Sequence, residues 1–250
     1  MNETKSSSGK LGELLQTNKL AIILEIIIVF IPLYLGLLIS DNLNSDTISL
    51  GGDTVIMGGP LAYLGWILSL ALLWIASRIR GAGWNDYGVK QPRNWFVAVL
   101  KGLGVALVIF VVVGFVINPI LNSIPNLEPR DMSHFSVLKG NLPNLLINLV
   151  GMWITAGFFE EFQWRGYLIE RLGDLFGPRS IPAWMVVSVI SAIIFGLGHA
   201  YQGTMGILRT GAIGLVFGLC YLAVERNLWP LVFAHVLIDT LDFIGHYFGG

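Results

Sequence analysis

Charge is scarce in this chain. Only 12% of its 250 residues are Asp, Glu, Lys or Arg, whereas 54% are hydrophobic; soluble domains carry about 25% charged residues. The net charge of −1 supplies no basic field of the kind that holds nucleic acid, which argues against DNA or RNA as partners. The composition therefore predicts an integral membrane protein, with the lipid bilayer as its surroundings.

Several signals of other protein classes are also absent. Cys220 is the only cysteine, so an intrachain disulfide is excluded. No internal repeat is evident, which weakens the hypothesis of an inverted-repeat transporter. The chain has no His-Glu-x-x-His pair of the zinc-protease type and no Ser or Cys in an obvious nucleophile context.

Long apolar runs are present instead. A spanning helix needs about 20 mostly apolar residues, and seven runs approach that length. The predicted fold is an all-α polytopic transmembrane helical bundle of about seven to eight membrane helices. The run at 95–121 could tilt or break near Pro119, and 141–172 could form one long helix, so either could contain an eighth element. The predicted spans are 20–39, 60–79, 95–121, 142–159, 182–199, 204–224 and 228–248.

The distribution of Lys and Arg predicts the orientation. Ten of these residues lie in the N-terminal arm and in the second, fourth and sixth loops, against two in the third loop and none in the first, the fifth or the C-terminus. Because cytoplasmic loops collect positive charge, we expect seven crossings, a cytoplasmic N-terminus and an extracytoplasmic C-terminus. Residues 1–19 are predicted as a cytoplasmic arm, and 20–250 as a single transmembrane domain with a motif core at 142–248. We expect the loop at 122–141 to cap the site from outside.

The most informative stretch is Glu-Glu-Phe-Gln-Trp-Arg at 160–165. Ionisable groups at bilayer depth normally face a protein interior or an aqueous cavity, so this cluster is a functional-site hypothesis. In an α-helix Glu161 and Arg165 are four residues apart and can pair, while Glu160 is rotated about 100° away. One carboxylate is then neutralised, and the other is a candidate general base for water. The alternative is an ordinary interfacial ion pair at a helix end.

Two further polar pairs lie downstream, each with four-residue spacing. Phe195 would place an aromatic wall beside His199, and Asp239 would orient the imidazole of His235. Asp242 and His246 continue the face of His235, and we interpret them as the lining of an aqueous funnel. Taken singly, each pair also fits an ordinary structural histidine.

In combination these motifs resemble the CPBP family of intramembrane proteases, which includes the CAAX prenyl endopeptidases and bacterial Abi or bacteriocin-immunity relatives. The motifs are Glu-Glu-x-x-x-Arg, Phe-x-x-x-His and His-x-x-x-Asp, in this order and each at a separate span. The resemblance covers about 142–248 and includes His-Ala-Tyr-Gln-Gly at 199–203 and Trp-Pro at 229–230.

The resemblance implies an intramembrane endopeptidase that hydrolyses a peptide bond. Glu160 and His199 would activate the water, and His235 with Asp239 would stabilise the oxyanion. Many family members carry Asn at the position of Asp239. An ionised Asp cannot donate a hydrogen bond, so Asp239 is expected to orient and charge His235, which then donates. The resemblance further implies that Glu161, Arg165 and Phe195 support the site.

Cofactor, substrate and rival functions stay open at this stage. A metal-free, glutamate-activated water is preferred, but Glu160, His199, His235 and Asp239 could in principle bind Zn²⁺. The expected substrate is a membrane-embedded or lipidated peptide or protein, and the expected location is a bacterial or archaeal cell membrane. The alternatives are a non-catalytic bacteriocin self-immunity protein and a proton-coupled transporter.

Overall fold

The computed structural model describes residues 9–43, 47–176 and 180–249. Lys5, Arg179 and residues 1–8 of the predicted arm at 1–19 lie outside the described residues. Helices make up nearly all of the rest, with one antiparallel hairpin of two strands. The elements are α1 (Lys10–Thr17), α2 (Lys19–Asn42), β1 (Thr47–Gly51), β2 (Thr54–Met57), α3 (Pro60–Arg80), α4 (Trp95–Asn122), α5 (Leu142–Phe176), α6 (Ile181–Leu197), α7 (Gly203–Ala223) and α8 (Leu228–Phe248).

The predicted all-α membrane bundle is confirmed. Within the described part of the chain, six helices (α2–α5, α7 and α8) are long and apolar enough to cross a membrane. The remaining predicted span is α6, which is apolar but only 17 residues long. Large apolar side chains such as Ile28, Phe115 and Ile181 are exposed on the outside of the bundle, as expected of surfaces that meet lipid tails. The protein is a multi-pass membrane protein.

Polar residues cap most of the helix starts. In α2, the side chain of Asn18 accepts a hydrogen bond from the Ala21 N–H at 3.0 Å, which satisfies a donor that the helix leaves free. These caps explain why the observed starts lie within a residue or so of the predicted ones. The caps of α4, α5, α6 and α8 are Asn94, Asn141, Ser180 and Asn227.

Helix α4 continues past Pro119 and does not break there. Proline lacks an N–H and clashes with the carbonyl four residues earlier. The chain accommodates this with a π-helical segment at Val113–Ile117, after which α4 resumes as Asn118–Asn122. The predicted irregularity is thus present as a local widening of the helix.

Helix α5 is one long helix, as the alternative interpretation of 141–172 predicts. It runs over 35 residues, so the shorter predicted span at 142–159 is only its first half. Its central part, Trp153–Ile169, is π-helical over 17 residues and contains the Glu-Glu motif. Such segments usually comprise a single turn and are frequent at functional sites. Hydropathy does not distinguish i→i+5 from i→i+4 bonding, so the sequence did not indicate this.

The hairpin in the first loop was not predicted. Its strands pair Ile48 with Ile56, and two asparagines of α5 hold its outer edge. Asn148 Oδ1 accepts from Met57 N at 2.7 Å, and its Nδ2 donates to Val55 O at 2.9 Å. Asn144 Oδ1 accepts from Val55 N at 3.0 Å. The two amides thus replace the neighbouring strand that this edge lacks.

We expect Asn148→Ala to destabilise the docked hairpin by about 1–3 kcal/mol, because partly buried backbone groups of Val55 and Met57 lose their partners. The measurement is limited proteolysis of the 47–57 segment together with unfolding in detergent. Asn122→Ala is the matched control, since Asn122 is exposed at the end of α4. Equal protease sensitivity of the two variants would contradict this role of Asn148.

Helices α6 and α7 approach each other closely at Gly196. A Cβ built on Gly196 would lie 2.6 Å from Ile207 O and 3.0 Å from Gly211 Cα. Both are backbone atoms, so they can move away only if α7 itself moves. The missing side chain of Gly196 therefore permits the close packing of α6 against α7. His199 follows at the end of the same helix.

Gly196→Ala is expected to separate α6 from α7, displace His199 and lower both stability and activity. Gly104→Ala is the control, because nothing lies within 4 Å of a Cβ at Gly104 in α4. The measurements are thermal unfolding in detergent and the rate of substrate turnover. A Gly196→Ala protein that matches Gly104→Ala in both would show that the helices can adjust at no cost.

The two ends of the bundle differ in composition. At one end, termed the basic end, α1, the end of α3, residues 81–94, the end of α5 and residues 224–227 lie together. Backbone and side-chain bonds join these segments: Gln16 Nε2 donates to Arg80 O at 2.6 Å, and Leu228 N donates to Gly88 O at 2.9 Å. Arg226 pairs with Glu170 at 3.0 Å.

Glu25 of α2 lies inside the basic end and is only 5% exposed. Arg171 Nη2 is 2.7 Å from its Oε2, and Arg80 Nε is 3.2 Å from its Oε1. Tyr167 also donates to Glu25, at 3.0 Å. A buried carboxylate requires such partners. The network fastens α2, α3 and α5 to one another.

The opposite end, termed the cavity end, contains the hairpin, residues 123–141, residues 198–202 and the end of α8. Asp131 N donates to Gln202 O at 3.1 Å, and Gly140 N donates to Tyr247 O at 3.0 Å. These bonds hold the 123–141 segment across the helix ends, where a cap over the site was expected.

Candidate active site

A cavity of about 1030 Å³ extends from the cavity end into the bundle. Its walls come from α2, α3, α4, α5, α7 and α8, together with the 130–135 segment and residues 197–202. All four predicted catalytic residues line it: Glu160, His199, His235 and Asp239. Glu161 and Arg165 do not contribute to its surface and lie behind the wall.

The two adjacent glutamates have different surroundings. Glu160 is half-buried at the cavity wall, and within the described residues its carboxylate has no hydrogen-bond partner. Glu161 is fully buried, and its Oε1 accepts from Arg165 Nη1 at 2.9 Å. The i,i+4 pair thus forms although the helix is of the π type. One carboxylate is neutralised, and the other is available to a molecule in the cavity.

Arg165 is enclosed by aromatic rings. Its guanidinium lies 4.6 Å from the centre of the Phe195 ring and 4.7 Å from that of Phe217, and only 1% of the residue is exposed. Stacking of this kind stabilises a cation that has left water. Phe195 therefore contacts both Arg165 and His199. Phe217 was not predicted, since an aromatic residue in an apolar helix carries no distinguishing signal.

His235 is held between two carboxylates. Its Nδ1 lies 2.7 Å from Glu161 Oε1, and its Nε2 lies 3.3 Å from Asp239 Oδ2. Phe217 covers the ring at a centroid distance of 5.2 Å. The predicted His235–Asp239 pair thus forms, whereas the contact with Glu161 was not predicted. It joins the first and third motifs into one network of Arg165, Glu161, His235 and Asp239.

His199 is oriented by its own helix. Its Nδ1 lies 3.0 Å from Phe195 O, and since a carbonyl only accepts, Nδ1 carries the proton. The other ring nitrogen, Nε2, then keeps its lone pair. Phe195 packs edge-on against the imidazole at 4.8 Å, and Tyr201 stacks on it at 5.9 Å. The sequence predicts the aromatic wall but not the carbonyl acceptor.

Asp242 and His246 lie further along α8, toward the cavity end. Asp242 lines the cavity, and His246 Nε2 is 3.7 Å from its Oδ2. His246 also stacks on Phe135 of the 123–141 segment at 4.8 Å. Asp242 thus lies where the funnel lining was expected, whereas His246 packs beside it and does not line the cavity.

The residues proposed as alternative zinc ligands do not form a ligand group. In the ranges that the structure describes, no three His, Cys, Asp or Glu residues are placed to hold a metal ion. Both nitrogens of His235 already face carboxylate oxygens, which leaves no lone pair directed at a shared metal. In this structure the four residues are therefore not arranged as a zinc ligand set.

The fold and site define a class: a multi-pass membrane protein with a carboxylate–histidine site inside its bundle. Residues 142–241 match the family model described as Rce1-like, type II CAAX prenyl endopeptidase. The match runs from the first residue of α5 into α8 and contains all three motifs, which confirms the resemblance to the CPBP family of CAAX proteases. No curated protein and no solved structure matches the chain. The match supports an intramembrane protease of the CAAX type.

Proposed function

We propose that the protein is a membrane endopeptidase in which Glu160 and His199 activate a water molecule for attack on a peptide bond. The observation that carries the proposal is the separation of the two glutamates. Glu161 is neutralised behind the wall, and Glu160 faces the cavity without a partner among the described residues. A carboxylate in this state can accept a proton from water.

The proposed hydrolysis passes through a tetrahedral intermediate. The water oxygen forms a bond to the carbonyl carbon while its proton passes to Glu160, or to Nε2 of His199. The carbonyl oxygen becomes an oxyanion, and the tetrahedral intermediate collapses as the C–N bond breaks. The departing amine takes up the proton that the base accepted. Atoms and charge balance without a further reactant.

His235 and Asp239 are proposed to stabilise the oxyanion. Glu161, ionised beside Arg165, can only accept, so Nδ1 of His235 donates to it. The 3.3 Å contact between Nε2 and Asp239 is attractive only if one of the two groups carries a proton. That proton lies at the cavity wall. When it is on Nε2, the N–H can donate a hydrogen bond to the oxyanion that develops on the substrate.

The rival functions differ in what they predict. A non-catalytic immunity protein has no need for a free carboxylate in a cavity, and a proton-coupled transporter requires a route to both faces. Among the residues that the structure describes, none from the basic end lines the cavity. A membrane-associated peptide, prenylated as in the family name or not, remains the proposed substrate.

The proposal is tested by incubating proteoliposomes with a library of membrane peptides, with and without a chelator. We expect cleavage that resists the chelator and is lost in Glu160→Gln. Loss of cleavage with the chelator and recovery with zinc would instead show a metalloprotease. No cleavage, together with flux of a solute across the vesicles, would establish the transporter.

A further inference from the structure

We infer that the cavity opens to the extracytoplasmic side of the membrane and receives a neutral or cationic peptide segment presented on that face. The part of this inference that concerns the peptide rests on the proposed function. The part that concerns the side of the membrane does not. Three observations carry it: the separation of cations between the two ends, the closure of one end, and the charges around the cavity entrance.

The cations are concentrated at the end away from the cavity. Nine of the described Lys and Arg residues lie at the basic end or in the first two turns of the helices that start there, three lie at the cavity end or line the cavity, and Arg165 lies between them. Positive charge marks the cytoplasmic side of membrane proteins. The nine are Lys10, Lys19, Arg78, Arg80, Lys90, Arg93, Lys101, Arg171 and Arg226, and the three are Arg130, Lys139 and Arg209.

The basic end is closed. The network around Glu25 is buried, with Arg171 only 1% exposed, and Tyr167 and Leu168 are fully buried beside it. Leu228 N bonds to Gly88 O and so joins the two loops that cover this end. A peptide on the cytoplasmic side therefore meets packed side chains, whereas one on the opposite side meets the cavity entrance.

The entrance carries more negative than positive charge. Asp41, Asp131 and Asp242 are exposed on its lining, with Asp239 deeper. Arg130 and Arg209 are its two cations, and Arg209 Nε is turned to Asn118 Oδ1 at 3.2 Å. Complementarity of charge then favours segments with Lys or Arg over segments with Asp or Glu.

Cysteine labelling tests the orientation without reference to activity. In a Cys220→Ala background, Ser136→Cys places a thiol on the 123–141 segment and Asn85→Cys places one at the basic end; both positions are exposed. With intact cells and a membrane-impermeant maleimide, we expect labelling at 136, and at 85 only after permeabilisation. The reverse pattern would overturn the inference and leave the proposed protease intact.

Anchored reporters test the substrate half. One cleavable segment is fused to the outer side of a single-span anchor and, in a second reporter, to its cytoplasmic side. We expect cleavage of the outer reporter alone, lost in Glu160→Gln, and roughly tenfold slower when neutral positions of the segment are changed to Glu than to Lys. Cleavage of the cytoplasmic reporter overturns the inference. If labelling shows an outward entrance but neither reporter is cleaved, the proposed protease fails while the orientation stands.

Discussion

Glu160→Gln is expected to lower peptide cleavage by about 100- to 10,000-fold, the range that removal of a general base produces. Glutamine has nearly the same shape but cannot accept a proton from water. Because the Glu160 carboxylate has no hydrogen-bond partner among the described residues, the substitution breaks no structural contact. The measurement is the single-turnover rate in proteoliposomes, paired with an unfolding midpoint equal to that of the wild type.

The matched control is Glu128→Gln, which removes a carboxylate from an exposed position in the 123–141 segment. We expect it to retain wild-type cleavage. Full activity in Glu160→Gln would remove the basis of the proposed mechanism. Equal loss in both variants would instead point to an effect of overall charge at the cavity end.

Arg165→Met is expected to cost about 3–5 kcal/mol of stability, the range found when one partner of a buried ion pair is removed. Glu161 is fully buried and would lose the cation at 2.9 Å, and Phe195 and Phe217 would lose the group between their rings. The measurement is unfolding in mixed detergent micelles. Arg93→Met is the control, since Arg93 is exposed in a loop at the basic end and we expect no comparable loss.

Combining Arg165→Met with Glu161→Gln separates burial of charge from catalysis. The double variant contains no unpaired carboxylate at this position, so we expect it to recover most of the lost stability. Activity should remain low, because His235 no longer has an ionised acceptor for its Nδ1 proton. An Arg165→Met protein as stable as Arg93→Met would contradict the view that the buried pair contributes to the fold.

The apolar runs predicted the membrane helices well, because a length near 20 residues follows directly from bilayer thickness. The spacing of His235 and Asp239 predicted their contact, since residues four apart share a helix face. The contact between Glu161 and His235 joins α5 to α8 across 74 positions, and no local pattern encodes it. The π-helical form of Trp153–Ile169 was missed because hydropathy does not distinguish i→i+5 from i→i+4 bonding.

The hairpin illustrates a different limit. The two strands, Thr47–Gly51 and Thr54–Met57, are short, and a hairpin of this size would be only marginally stable by itself. Asn144 and Asn148 supply hydrogen bonds to the second strand, and nothing in the sequence distinguishes these residues from other polar residues near the start of an apolar run. Only the tertiary structure shows that these amides serve as the missing strand.

The network around Glu25 also sets an order of events during synthesis. Glu25 is translated with α2, before either of its cationic partners. Arg80 follows at the end of the next helix, whereas Arg171, whose Nη2 also donates to Leu15 O, is 156 residues beyond Leu15. At ribosomal rates this delay is roughly 8 to 30 s. A nascent chain thus carries a partly compensated acid, and α1 acquires its anchor on α5 only after that helix is complete.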